Sequence, residues 1–328
     1  MRRALVLVAG LLLAAGPPQA FELKLVSVPA GEFSMGTSEQ QEWMLRSRFV
    51  RNAPVDSDDV PAERPQHRVR ISAAFQMGAF EVTVGQFRAF VEASGYKTDA
   101  EKSGRGARGF NRTKGEFESA AQYTWKNPGF PQDETHPVVC VSWNDAVAFC
   151  DWLSAREKAT YRLPTEAQWE YACRAGTEFN LSFGDDPTLT TQYANVADVS
   201  LEKAHKGMTM RMQLVDLTKD PEDGFVYTAP VGRFKPNPFG LYDMHGNAWE
   251  WCRDRYQRFH YKEYEKRGKV AARDPIGPEK SDDHGDWRVL RGGSWALDVV
   301  AARASARLWN DQADAFCYAG FRVVRTAP

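Results

Sequence analysis

The chain has 328 residues, with 42 Lys and Arg against 43 Asp and Glu and a formal net charge of −1. No polybasic block stands out, so nucleic acid and anionic membranes find no electrostatic footprint. The length allows one large domain or two ordinary ones, and 12% aromatic residues, ten of them Trp, suit a fold held by aromatic clusters under loops.

Arg2 and Arg3 precede an apolar run, Ala4 to Gly16, that is too short to span a bilayer. Small residues follow to Ala20. Residues 1–20 therefore read as a secretory signal peptide, and 21–328 as a single domain exported to the periplasm or beyond, with no stable membrane anchor. Cys140, Cys150, Cys173, Cys252 and Cys317 all lie in the exported part. Disulfides form in that compartment, and the odd count leaves at least one thiol unpaired.

Phe21 to Met35 reads as strands around the turn Pro29-Ala30-Gly31-Glu32. Thr37 to Gln66 lacks periodicity and reads as loop with one short helix, and His67 to Ile71 alternates like a strand. Val82 to Ser94 is a helix: Thr83 and Gln86 form a capping box, Phe87, Phe90 and Val91 share a face, and Gly95 stops it. Thr98 to Lys126 reads as an exposed excursion and Pro137 to Val141 as a short buried strand. Ser142 opens a second helix with Ala146, Phe149, Cys150 and Leu153 inward, and Thr165 caps a third with Gln168. Cys150 and Cys173 fall on these helices, where core packing and disulfides are both open readings. Beyond Gly176 helical pattern is nearly absent. Gly, Pro, Asn and Asp recur there, which predicts a loop-rich fold without repeats or linkers.

Within that region Gly240-Leu241-Tyr242-Asp243-Met244-His245-Gly246-Asn247-Ala248-Trp249-Glu250-Trp251 has neither helix nor strand period. It reads as a shaped loop held by side chains or by an ion. Arg291-Gly292-Gly293-Ser294-Trp295 and Gly320-Phe321-Arg322 are further such segments. With Met35-Gly36, Glu81-Val82-Thr83, Val141-Ser142-Trp143-Asn144-Asp145-Ala146, Arg162-Leu163-Pro164-Thr165-Glu166 and Trp169-Glu170-Tyr171, the ordered set resembles the formylglycine-generating enzyme family, also called the sulfatase-modifying-factor family. The resemblance runs from Val26 to Val324. It implies a loop-rich α+β fold related to C-type lectins, with little regular secondary structure.

The resemblance also implies two structural calcium sites. One maps onto Asn195, the carbonyl of Val196, Asp223 and the carbonyl of Phe225. The other maps onto Asp243, the carbonyls of Gly246 and Ala248, and Glu250. Hard oxygen donors of this kind suit Ca²⁺, and Asp243 stands where other members can have Asn. The family's formylglycine generators place two cysteines after the Gly-Gly-Ser motif to bind copper and the substrate thiol. Here Leu297 stands at the first position and Ala302, or a residue lost in a small deletion, at the second, and neither side chain can ligate copper. The family's disulfide partners of Cys150 and Cys173 fall at Val323 and near Ala304, so any disulfide is wired differently, for example among Cys140, Cys252 and Cys317.

A second branch uses non-haem iron on histidines. None of the histidines here is spaced to share a helix face; His67, His136 and His245 fall in ordinary family motifs and read as structural. His260 and His284 are less constrained and could meet Asp282, Asp283 or Asp286. A third branch, exported and without the cysteine pair, acts in maturation of the siderophore pyoverdine, and it matches this chain in outline.

The expected pocket is built from Ser294, Asp298 and Arg307 as catalytic groups and Trp249, Trp295, Arg303, Trp309 and Asn310 as binding groups. Arg303 and Arg307 would share a face if their segment is helical, and their guanidiniums suit anions; the alternative for both is structural ion pairing, and for the tryptophans core packing. Three functions are consistent with this reading. One is oxidative maturation of a peptide or peptide-derived substrate without a cysteine-copper site. Another is a non-catalytic, calcium-stabilised ligand-binding module. The third, disfavoured by Leu297 and Ala302, is formylglycine generation on sulfatases.

Overall fold

Side-chain oxygens set the helix starts. In the computed structural model, which describes residues 22–45, 47, 60–205, 222–268, 270–282 and 285–326, reciprocal capping boxes open five helices. They are α1 (Glu39–Met44, capped by Ser38), α2 (Val84–Ser94, Thr83), α3 (Asp99–Ser103, Thr98), α4 (Trp143–Glu157, Ser142) and α5 (Glu166–Arg174, Thr165). Each box satisfies two amides that the helix itself leaves unpaired. Gly95 ends α2 at φ 68, a left-handed conformation that glycine adopts without a Cβ clash. The signal-peptide reading of residues 1–20, and the candidates Asp283 and His284, lie outside the described residues. Among the described residues no helix is long and apolar enough to cross a membrane.

The strands form small sheets. In the first, β1 (Leu25–Val28) and β13 (Val324–Thr326) flank β4 (Phe75–Gly78), and β7 (Tyr161–Arg162) pairs on the far side of β13. A second sheet has the order β11-β10-β8-β12, from β8 (Trp249–Arg255), β10 (Trp287–Arg291), β11 (Leu308–Asp311) and β12 (Ala319–Gly320). A third joins β2 (Gly31–Met35), β3 (His67–Ile71) and β9 (Ala272–Arg273), and a hairpin joins β5 (Arg108–Asn111) to β6 (Glu116–Ser119). With two further short helices, α6 (Thr190–Tyr193) and α7 (Val199–Ala204), this is the expected loop-rich α+β architecture. α2 and α4 pack Phe87, Phe90 and Phe149 against Trp125, Trp251 and Phe321 in one apolar cluster. The offset and edge-to-face contacts of these rings are the geometry aromatic quadrupoles favour.

Three expectations are corrected. Trp249–Arg255 is a strand, not loop; it lies between β10 and β12 and is buried on both faces at its start, so no alternation marks it. Residues 137–141 are buried but form no ladder, because Cys140 adopts φ 58 and breaks the extended run. Residues 98–126 are not an exposed excursion: they include α3 and the β5–β6 hairpin, and Phe110, Tyr123 and Trp125 are buried. The five cysteines are buried thiols, and burial pushes each of them well above the ordinary thiol range. Core packing is thus their role in this structure.

Candidate functional site

The site starts from one backbone constraint. Gly246 has φ 108, and a Cβ there would come within 2.2 Å of the Asn195 carbonyl oxygen. Only glycine permits that approach, and it lets three segments lock together. The Gly246 amide donates to Gly292 O (2.7 Å), the Asn247 amide to Asn195 O (2.7 Å) and the Trp295 amide to Asn247 O (3.1 Å). The Asn247 side chain completes the lock. Its Oδ1 accepts from Asn195 Nδ2 (3.0 Å) and the Ala229 amide (2.8 Å), and its Nδ2 donates to Glu81 Oε1 (3.0 Å).

Around this lock, buried oxygens are left without donors. Glu81 Oε2, Asp243 Oδ1 and Asn195 Oδ1 have no hydrogen-bond partner. Asp243 Oδ2 accepts from the Gly232 amide (2.7 Å). Burial, and then the neighbouring Asp243, push Glu81 well above the usual carboxylate range, and burial raises Asp243 as well. On the other side of Asn195, Asp223 takes the amides of Val196 (3.2 Å) and Phe225 (2.8 Å), and its own amide donates to Asp198 Oδ2 (2.7 Å). Burial, and then Asp198, push Asp223 up to about 8. Orphaned acceptors are rare in native proteins and call for an ion, a proton or a water. Crowded carboxylates with an unsatisfied amide oxygen are a donor set that fits a hard cation. Asn195, Asp223 and Asp243, the side chains that the resemblance names, are all buried or half-buried here, and Asp223 is held by the amides of Val196 and Phe225. Sequence reasoning missed Glu81 and Asp198.

Glu250 is engaged elsewhere. Its Oε1 accepts from Arg322 Nη2 (2.5 Å), and its Oε2 accepts from Arg322 Nε (2.6 Å) and Trp169 Nε1 (2.7 Å). Both partners of this ion pair are wholly buried. Ala248 is buried in the apolar cluster beneath Trp295.

The Gly-Gly-Ser turn follows β10. Gly293 has φ 77 and passes so close to Ala302 that a Cβ would lie 2.7 Å from its Cα. Ser294 and Trp295 are buried, and Trp295 packs edge-on against Phe110, Phe130 and Tyr227. Trp249 is likewise a core residue, with its Nε1 unpartnered. Neither tryptophan is thus the binding group expected; both take the core-packing alternative. Leu297 packs against the large apolar cluster, and Ala302 sits in a second one with Leu45, Val60 and Val196. The two positions that carry thiols in formylglycine generators therefore present only aliphatic groups, and no copper step is derivable through them. Asp298 caps the next turn by accepting from the Val300 amide (2.9 Å), and burial pushes its carboxyl up to about 6. Below Ala302, His245 donates through Nδ1 to the Ala302 carbonyl (2.8 Å) and accepts at Nε2 from the Ser182 amide (3.0 Å). Burial pushes it down to about 4, so it is a neutral structural histidine, as its motif suggested.

Arg303 and Arg307 do not form a helical face. Their segment is a series of turns, and both guanidiniums point into buried ion pairs. Arg303 grips Glu63 with two bonds of 2.7 Å, and Arg307 grips Glu166 at 2.6 and 3.0 Å. Arg291 binds Glu170 and the carbonyls of Ala304, Ser305 and Ala306. Burial alone would raise Glu63 and Glu166, but their arginines outweigh it and hold both below the ordinary value. The structural reading of Arg303 and Arg307 therefore holds. Trp309 is 37% exposed on β11 and stacks on Trp287 at 3.8 Å, with Asn310 beside it opposite Arg288. These belong to a sheet edge and not to a pocket with Ser294.

Asp254 lies under this network. Its Oδ2 accepts from the Glu166 amide at 3.0 Å, and burial, and then the Glu166 charge, push it up to about 7. A carboxyl raised in the folded state favours folding below its unfolded value, and that contribution is lost as pH rises through the folded one. Stability is therefore expected to fall between about pH 4 and pH 7 on account of this group. Asp254→Asn keeps an acceptor for the Glu166 amide and removes the charge. It is expected to flatten that decline and to gain about 1–3 kcal/mol at pH 8, read as urea midpoints across pH. A variant that tracks the parent at every pH would refute the assignment.

His260 contacts Tyr264 (Nε2 to the hydroxyl, 3.3 Å) and Glu263 (3.5 Å), while Asp282 and Asp286 accept from the Arg258 amide and Arg255. Among the described residues no group of three or more His, Cys, Asp or Glu side chains is disposed to hold a metal ion; the cation set described above relies on amide and backbone oxygens as well.

The sulfatase-modifying factor enzyme 1-like domain matches residues 15–327. The chain belongs to the formylglycine-generating enzyme family. It is 34% identical to the formylglycine-generating enzyme of Bos taurus over 91% of this chain and 74% of that one. It is 32% identical to that of Thermomonospora curvata, covering 93% of this chain and 94% of the relative. A Mus musculus relative, "Inactive C-alpha-formylglycine-generating enzyme 2", is 30% identical over 92% and 86% of the two chains. Among solved structures, PvdO from Pseudomonas aeruginosa superposes with a TM-score of 0.68 at 27% identity, covering 96% of this chain and 100% of that one. The family match thus spans nearly the whole chain.

Proposed function

We propose that this family member is an exported protein for oxidative maturation of a peptide or peptide-derived substrate, such as a siderophore chromophore, by chemistry that does not use a thiol-copper centre. The observation that carries the reading is the replacement of the thiol positions by Leu297 and Ala302 in an otherwise complete scaffold. The likeness to the PvdO structure supports the same branch. In this reading Asp298, raised to about 6, is the group beside the Gly-Gly-Ser turn with acid-base capacity near physiological pH, and Ser294 lies four residues before it, in the preceding turn. Two structural calcium ions are part of the proposal: one at Asn195 and Asp223 with the carbonyls of Val196 and Phe225, the other at Asp243 and Glu81 with the carbonyls of Gly246 and Ala248. Calcium would neutralise carboxylates that otherwise repel one another.

A second reading, a calcium-stabilised binding module without catalysis, is favoured by the burial of Ser294, Trp249 and Trp295 and by a relative whose name begins "Inactive". One experiment addresses both. The chain from Phe21 onward is incubated with a Cys-x-Pro-x-Arg peptide, copper and oxygen, and its metal content is measured on a chelator-free sample. No aldehyde and about two calcium ions per chain are expected. Stoichiometric iron or another redox metal beside the calcium would favour the enzyme, and calcium alone the binding module or a metal-free enzyme. Aldehyde formation would falsify the proposal.

A further inference from the structure

A cavity of about 270 Å³ opens between the β3–β4 turn, β7 and the start of α5, and it shares no lining residue with the Gly-Gly-Ser turn. Two arginines face it. Arg162 Nη1 is fixed by Leu163 O and Gln168 Oε1, both at 2.9 Å. Its Nε and Nη2 have no partner among the described residues. Arg253 is carried on β8, where its amide donates to Pro164 O at 2.8 Å. Its exposed guanidinium has no ion-pair or hydrogen-bond partner among the described residues. The two cations oppose each other: after burial, the Arg253 charge is the next cause that lowers the proton affinity of Arg162.

The nearby carboxylates relieve this only in part, through the Asp254 charge, and neither Asp254 nor Asp274 forms an ion pair or hydrogen bond with Arg162 or Arg253 among the described residues. Asp274 lines the cavity, but it takes the Ser72 amide (2.8 Å) and hydroxyl (2.5 Å) and lies 3.6 Å from Arg273. Asp254 is buried beneath, bound to the Glu166 amide. Apolar side chains line it too: Ile71 and Phe75, which belong to the core, and Ile276, which is 62% exposed. Unpaired guanidiniums beside apolar side chains match a carboxylate attached to an apolar group. Inorganic phosphate would leave those side chains unused.

We propose that this cavity binds the C-terminal carboxylate of a peptide-like ligand that ends in an apolar residue, with Arg253 and Arg162 on the carboxylate and Ile276 against the side chain. The proposal goes beyond the oxidative reading and is independent of it, because it concerns binding and needs no turnover. Calorimetric titration of the chain from Phe21 with N-acetyl-L-leucine, N-acetyl-L-leucinamide and inorganic phosphate tests it. The acid is expected to bind at least about tenfold more tightly than the amide and more tightly than phosphate. Arg253→Gln, at an exposed position, is expected to keep the parent melting temperature and to weaken the acid by about tenfold or more. Ile276→Ser is expected to weaken it by a few fold. Equal binding of acid and amide, tighter binding of phosphate, an unaffected Arg253→Gln variant, or no binding of the acid up to about 10 mM would each overturn the proposal.

Discussion

Glu250→Ala is expected to lose about 3–5 kcal/mol of stability, read as a lower urea midpoint and melting temperature. Glu250 and Arg322 have no exposed side-chain surface, and both carboxylate oxygens are engaged, Oε1 by Arg322 and Oε2 by Arg322 and Trp169 Nε1. Removing the carboxylate takes the paired charge from a buried guanidinium, which then has only the more weakly acting Glu81 and Asp243 as opposing charges. The carbonyls of Gly78 (3.1 Å) and Tyr242 (3.0 Å) remain as partners, but they bring no compensating charge. It also leaves the Trp169 indole N–H unpaired, which adds a desolvation cost of about 1–3 kcal/mol that overlaps with the first and is not simply additive. The family resemblance assigns Glu250 to calcium instead. The two origins separate in chelator: if the ion pair dominates, the mutant's deficit is the same with and without EDTA. A deficit that vanishes once calcium is removed would return Glu250 to the cation site.

Gly246→Ala is the second large effect. The new methyl would lie 2.2 Å from Asn195 O at φ 108, so either the turn rotates or the Asn195 segment retreats. Backbone strain and overpacking together place the cost at about 2–4 kcal/mol. Any retreat of Asn195 displaces its unpaired Oδ1 and the Asn247 bridge to Glu81. The variant is therefore expected to lose bound calcium as well as stability, measured by metal analysis after gel filtration beside a melting curve. Parent-like calcium content in a destabilised variant would separate the lock from the ion.

The helices were legible because their signals are local. Thr83 with Gln86, and Thr165 with Gln168, sit three residues apart, and the structure contains both boxes. The central strand Trp249–Arg255 was not legible, since a strand covered on both faces has no polar alternation to display. Arg303 was read as a pocket residue or an ion-pair residue; its partner Glu63 is 240 positions away, and no spacing rule reaches that far. Glu81 is a different case. The segment Glu81-Val82-Thr83 belongs to the motif set, but the helix start accounts for Thr83 and gives the carboxylate of Glu81 no role. A buried acid flanked by Phe80 and Val82 with no basic residue nearby was the available signal.

The first sheet has a consequence for how the chain is made. β4 ends at Gly78, yet one of its edges is filled by β13, Val324–Thr326, which also carries β7. A ribosome delivers residues in order, so the early strands wait, edge exposed, until residues 324–326 have emerged. Closure over that sequence distance is slow, and an open edge in the meantime is a template for pairing with another chain. The nascent chain is thus most open to edge-to-edge pairing in the interval between the emergence of β4 and that of β13.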